Sequence, residues 1–267
     1  MRKRNSLLFI VISLVFLMTS CSSGQKDNSD KKAELFYTYG TQKMIDQEYS
    51  QALEALENAN QLKPNDTKTL NNLGLAYFFK DRPEKAKRLI LKAIEIDPKN
   101  SDARNNLASI YFKEGKIDLA EKQYKEVLKD LVYRYTYRVK YNLSLIELKR
   151  GNKQKAKDYL KEVLGYTLDY CPAPYQLGIL LHEEGKIAEA IKNFNIAKTG
   201  KCKDQPAAYF ELGKVYQTLG EEEKAIAEFN HIIEAFPRTQ YAKRSLKFKN
   251  KLMKKIYYSK KNKNNNL

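Results

Sequence analysis

Two histidines, three cysteines and one run of three adjacent carboxylates are the side chains of this 267-residue sequence whose chemistry could go beyond packing. His182 opens "HEEGK", the first half of a zinc-protease helix, but the second histidine of that motif is missing. Neither His182 nor His231 has metal-ligand spacing with a cysteine or carboxylate. Glu221, Glu222 and Glu223 stand at an expected helix start, where carboxylates suit the positive end of the helix dipole. The chain has no nucleophile elbow, phosphate-cradling loop or dinucleotide fingerprint. These residues predict a protein that is not an enzyme and takes no cofactor, metal or small-molecule substrate. The cysteines remain, and their chemistry depends on the compartment.

The N-terminus, "MRKRNSLLFIVISLVFLMTSCSSG", begins with Arg2, Lys3 and Arg4 and continues in an apolar run of twelve residues, Leu7 to Met18. That run is short for a membrane span and has the form of a signal-peptide core. It ends at Thr19-Ser20-Cys21, which resembles the lipobox of bacterial lipoproteins, although Met18 stands where that family prefers leucine. The resemblance implies a signal peptide over residues 1–20, lipid on Cys21 and attachment to a membrane. Ser22 after the cysteine, in place of aspartate, implies sorting to the outer membrane, with the protein facing the periplasm. Ordinary signal cleavage and an uncleaved anchor are the alternatives. Residues 21–32 are polar and read as a flexible tether.

The formal charge of +17 is unevenly placed. Eleven Lys and Arg with no acid lie from Arg238 to the C-terminus, and residues 21–237 carry a net charge of only +3. Basicity therefore belongs to the tail, and an exported chain of this kind is not expected to bind nucleic acid.

Aligned against itself, the sequence yields six units starting at 33, 67, 101, 137, 171 and 206. The eighth position reads Gly40, Gly74, Ala108, Ser144, Gly178, Gly213, and the twentieth is alanine throughout, from Ala52 to Ala225. Small residues there let two helices approach closely, with larger ones such as Tyr77, Phe194 and Phe229 between them. "EGKIDLAEKQY", "RGNKQKAKDYL", "EGKIAEAIKNF" and "LGEEEKAIAEF" repeat one turn-plus-helix. The pattern resembles the tetratricopeptide repeat (TPR). It implies an all-α fold, a right-handed TPR superhelix of six helical hairpins at 33–66, 67–100, 101–134, 137–170, 171–205 and 206–239. Residues 240–258 read as a C-terminal capping helix and 259–267 as a disordered basic tail. The tyrosine-rich junction "KDLVYRYTYRVKYNL" reads as a longer helix repacking the stack, with a binding surface as the alternative.

In this family the first helix of each hairpin lines a concave groove. Position 6 reads Thr38, Asn72, Asn106, Asn142, Gln176, Glu211, and the three asparagines resemble ladders that grip an extended peptide backbone. An exposed helix face in a Lys/Asn-rich chain is the competing reading. Tyr37, Phe78, Phe79, Phe112, Tyr141, Tyr175 and Phe210, with Met44, add apolar area for a partner's side chains. The carboxylate clamp of chaperone-binding members lacks two of its cations, because Asn71 and Asn106 stand in those places.

Cys171 opens the fifth repeat and Cys202 closes it, where other repeats place Pro64, Pro98 and Pro237. In an antiparallel hairpin these positions share the open end, and export supplies an oxidising environment, so the pair is expected to form a disulfide. Lipobox, tether and repeats together resemble the type IV pilus assembly lipoproteins, on "NNLGLAYF", "NNLASIYFKEGKIDLAEKQY", "YNLSLIELKRGNKQKAKDYL" and "YCPAPYQLGILLHEEGKIAEAIKNF". That resemblance implies a protein partner, the outer-membrane secretin. An adaptor for periplasmic proteases or peptidoglycan enzymes stays open beside it. Lipid headgroups, acidic glycans, an acidic partner or composition bias could account for the tail.

Overall fold

The computed structural model describes residues 28–264, all of whose regular structure is helical. The expected signal peptide and Cys21 lie outside the described residues. The chain forms two compact units, one ending at Arg134 and the other beginning at Tyr135. The first holds α1 (28–45), α2 (Tyr49–Leu62), α3 (Thr67–Phe79), α4 (Pro83–Ile96), α5 (Ser101–Lys113) and α6 (Ile117–Val127). The second holds α7 (Thr136–Lys149), α8 (Lys153–Tyr166), α9 (Pro172–Glu183), α10 (Ile187–Ile196), a 3-10 turn (Gly200–Cys202), α11 (Pro206–Thr218), α12 (Glu222–Ala235) and α13 (Gln240–Asn264). Each unit stacks helical hairpins of the tetratricopeptide type. Among the described residues no helix is long and apolar enough to cross a membrane.

The sequence starts and stops these helices by local chemistry. The Asp66 carboxylate accepts from the Thr69 amide at 2.8 Å to cap α3, and the Asn100 side chain accepts from the Ala103 amide at 2.9 Å to cap α5. Pro83, Pro172 and Pro206 occupy first turns, where a missing N–H costs nothing. Every hairpin turns at repeat position 15, which has a left-handed backbone. Four of these residues are glycine, as at Gly151 (φ 82°), but Gln47 (φ 61°) and Asp81 (φ 58°) pay a steric cost there.

Within each hairpin, position 8 faces position 24. A Cβ added at Gly74 would lie 2.6 Å from Ile90 Cγ1, and one at Gly178 would lie 2.7 Å from the Phe194 ring. All six alanines at position 20 are fully buried. Ion pairs then link successive hairpins. Lys87 bonds both Glu84 and Glu114 at 2.7 Å, and one period pair later Lys157 bonds Glu184. Lys116 and Lys186 complete the two clusters at 2.8 and 3.0 Å. Lys116 and then Lys87 hold the Glu114 carboxyl below its ordinary value, as Lys157 and then Lys186 do for Glu184.

Three boundaries differ from the sequence reading. Residues 28–32, expected in the tether, already belong to α1, whose first turn carries the favourable acid Asp30. The tyrosine-rich junction is not a longer helix: α6 stops at Val127 and residues 128–135 turn. Asp130 supplies the missing stop, accepting from the Ser101 hydroxyl at 2.6 Å and the Val132 amide at 3.2 Å. Finally, α13 continues past 258 to Asn264, because lysine sustains a helix as well as it sustains a solvated coil.

In urea unfolding, Asp81→Gly is expected to raise stability by about 0.5–1 kcal/mol by relieving the left-handed backbone. Gly178→Ala should cost about 1–3 kcal/mol despite alanine's better helix propensity, since the Phe194 ring must move. Carboxylates held below their ordinary value of 4.5 contribute stability that is present above that pH and lost as pH falls through their folded values. The melting temperature should therefore drop below about pH 4.5, and less steeply in Glu114→Gln.

Candidate functional site

In the first unit the residues expected to line a groove form an internal amide chain. The Asn106 amide nitrogen donates to Asn71 Oδ1 at 2.9 Å, Asn71 donates to Asn72 Oδ1 at 3.2 Å, and Asn72 donates to Thr41 Oγ1 at 3.0 Å. The Tyr37 hydroxyl lies 3.5 Å from the same Asn72 nitrogen. Position 6 of one hairpin thus reaches position 5 of the hairpin before it. The structure brings Asn72 and Asn106, the residues expected to grip a peptide, into one chain of amides, part of whose bonding capacity joins neighbouring repeats. Asn71 and Thr41 are members that the sequence reading missed. The signal was present in the regular 5-to-6 spacing between successive repeats. Asn71 is buried, so its amide must be paired within the protein.

The aromatic residues of this unit divide into two groups. Tyr37 and Phe78 are partly buried and pack on the core formed by Leu70, Leu73 and Tyr77. Phe78 meets Phe79 edge-on at 5.9 Å, with the Lys113 ammonium 5.0 Å above the Phe78 ring. Phe79 is exposed and stacks on Tyr49 of α2 at 4.5 Å. Phe112 is half-buried on α5.

In the second unit Asn142 is half-buried on α7. Tyr141 and Tyr137 both pack edge-on against Tyr170, at 5.3 and 5.2 Å. Tyr170 and Tyr175 form one wall of a cavity of about 360 Å³, and Pro172, Ala207 and Ala208 line it further. Burial pushes both tyrosines up to about 12; the neighbouring Tyr141 hydroxyl, which ionises only at high pH, adds to this at Tyr170, and the Glu211 carboxylate adds to it at Tyr175. Cys171 also lines this cavity. The structure places it in disulfide geometry with Cys202, with Cα atoms 5.3 Å apart. Gly200, in the left-handed region at φ 56°, turns the chain so that Cys202 can face back.

Phe210 is a correction. It is fully buried, not a groove anchor, because α13 lays Tyr241 and Phe248 edge-on against it at 5.7 and 5.5 Å. The Arg244 guanidinium covers its remaining face at 4.3 Å. The sequence reading placed Phe210 correctly on the first helix of its hairpin but left open the position of the capping helix.

Among the described residues no group of three His, Cys, Asp or Glu is placed to hold a metal. What the geometry offers is contact: a largely apolar cavity lined in part by two tyrosines, and a row of amides with residual bonding capacity. Both suit peptide groups and side chains of another protein.

Tetratricopeptide-repeat family models match residues 67–100, 137–170 and 206–239, with a further repeat model at 89–122. The photosystem I assembly protein Ycf3 of Prochlorococcus marinus (strain NATL1A) is 32% identical over 94 residues, covering 34% of this chain and 54% of that protein. The type IV pilus assembly protein PilF of Pseudomonas aeruginosa is 24% identical over 162 residues, covering 48% of this chain and 64% of PilF. The chain thus spans between about half and two thirds of these relatives. The solved structure of P. aeruginosa PilF has a TM-score of 0.68 at 17% identity, covering 81% of this chain and 97% of that one. PilW, described as a widely conserved type IV pilus biogenesis factor, gives 0.67 at 19%, covering 80% and 98%.

Asn71→Ala should be the most destabilising single change in the amide chain, at about 1–3 kcal/mol, because it strands a donor on Asn106 and an acceptor on Asn72. Asn106→Ala should cost about 1 kcal/mol or less. Thermal unfolding of the two variants side by side checks the order.

Proposed function

The chain is a tetratricopeptide-repeat protein, and from that premise we propose that it is a non-catalytic, lipid-anchored scaffold of the cell envelope that assists assembly of a type IV pilus secretin. The observation that carries this reading is the double likeness to PilF, in sequence over 64% of its length and in fold over 97% of the solved chain. The lipobox-like Thr19-Ser20-Cys21 supports attachment through Cys21, at the outer membrane and facing the periplasm. The partner is an extended protein segment. Peptide backbone pairs with amides such as those of Asn72 and Asn106 in the first unit and Asn142 in the second, and an apolar side chain suits the cavity beside Tyr170 and Tyr175. In an oxidising periplasm Cys171 and Cys202 form the disulfide their placement allows, closing a separation of 31 residues.

Three outcomes check the proposal. Cys21→Ser should leave an unprocessed or soluble form and reduce heat-resistant secretin multimers in membrane extracts. A variant that still fractionates with membranes after high-salt washing would remove the anchor. The triple change Asn72→Ala, Asn106→Ala, Asn142→Ala should weaken partner binding by about ten- to a hundredfold while circular dichroism stays helical. If secretin multimers form normally in that variant while a protease or cell-wall hydrolase is lost from pull-downs, the adaptor reading replaces the pilus one. Non-reducing peptide mass spectrometry should show Cys171 joined to Cys202, and reduction should cost about 3–4 kcal/mol.

A further inference from the structure

The outer face of α13 is a surface that the proposed scaffold role leaves unused. Its inner face is committed: Ala242, Ser245 and Leu252 are buried, Phe248 and Tyr241 pack on Phe210, and Arg244 covers that ring. At 100° per residue these positions define one side of the helix, and Lys243, Lys247, Lys251 and Lys254 fall on the opposite side. All four are exposed. Among the described residues, Lys255 has a carboxylate partner in Glu222 at 2.9 Å, and none of these four lysines has a carboxylate within ion-pair distance. No acid occurs from Arg238 to Leu267 to neutralise them locally.

The lysine row is bordered by apolar side chains that a solvated helix has no reason to present. Leu246, Met253, Tyr257 and Tyr258 are between 48% and 63% exposed. Leu246, Met253 and Tyr257 fall along one edge of the row, and Tyr258 falls within it near Lys251. Between Lys243 and Lys254 the surface is only shallowly concave, with Leu246 and Asn250 lining it beside the lysines. A straight row running about 17 Å along one helix, with no groove, fits a flat anionic surface better than a folded acidic peptide. Lysines extend their ammonium groups to phosphates while their methylenes and the neighbouring Leu, Met and Tyr side chains enter the apolar boundary.

We propose that the exposed face of α13 docks onto an anionic lipid surface, with Lys243, Lys247, Lys251 and Lys254 on the phosphates and Leu246, Met253 and Tyr257 in the interface. This contact is separate from the hairpin surfaces that bind protein, and it does not require lipid on Cys21. Each lysine contributes about a fivefold increase in affinity, so losing four should cost roughly several hundredfold.

The test uses full-length chain and vesicle co-sedimentation, with phosphatidylcholine alone or mixed with phosphatidylglycerol. The N-terminal apolar segment is common to all variants, so differences between them report α13. Parent protein should prefer the phosphatidylglycerol vesicles, and raising salt should erase the preference. Replacing the four lysines by glutamine should abolish it. Replacement by arginine should retain it, which also controls for folding. Leu246→Ser with Met253→Ser should weaken binding while leaving the salt dependence intact. Equal binding of parent and glutamine variant to phosphatidylglycerol vesicles would overturn the proposal. So would a parent that ignores lipid composition but binds soluble polyglutamate in a lysine-dependent way, which would make the occupant an acidic polypeptide.

Discussion

The structure depends on one contact repeated in every hairpin: the near-touching of two helices where position 8 of the first meets position 24 of the second. At Gly178 there is no room for a single methyl group against Phe194, and Gly74 is as tightly set against Ile90. Large side chains fill the space that small ones leave, so hairpin geometry is fixed by volume more than by polarity. With the hairpin angle set, the remaining features follow. In the first unit the first-helix positions 5 and 6 of successive repeats come within hydrogen-bonding distance, as Asn71 and Asn106 do. Lysines at position 21 reach glutamates at position 14 of the next hairpin.

Those inter-repeat bonds explain why the same residues can serve stability and recognition. An asparagine amide has two donors and an oxygen that accepts twice. The Asn106 amide uses one donor to hold Asn71, and the proposed peptide would use the rest. A row of amides positioned by its neighbours loses little freedom when a peptide arrives, which favours binding without demanding a particular partner sequence.

Much of the fold was legible because it is periodic. The repeat starts at 67, 137 and 206 coincide with the matched family repeats, and alanine at position 20 marks the second helix of each hairpin. Non-periodic features were harder to read. Asp130 ends α6 through its side chain, without the proline that follows α2 and α4, so the tyrosine-rich junction looked helical. Phe210 carries the same position number as Tyr37 and Tyr175, yet what covers it comes from α13, outside the repeat pattern. Asn71 looked like a missing clamp cation, whereas its amide bridges the two expected asparagines. Sequence position identified which surface a residue belongs to, and long-range packing decided whether that surface was open.

The placement of Cys171 and Cys202 also has a mechanical consequence. With the two sulfurs joined, tension applied to the chain passes directly from residue 171 to 202 and leaves α9 and α10 outside the loaded path. A stretched molecule would be shorter by roughly 100 Å, the extended length of the bypassed residues. The fifth hairpin would then stay folded while its neighbours uncoil, keeping the cavity beside Tyr170 and Tyr175 closed on one side by a bond that does not slip under load.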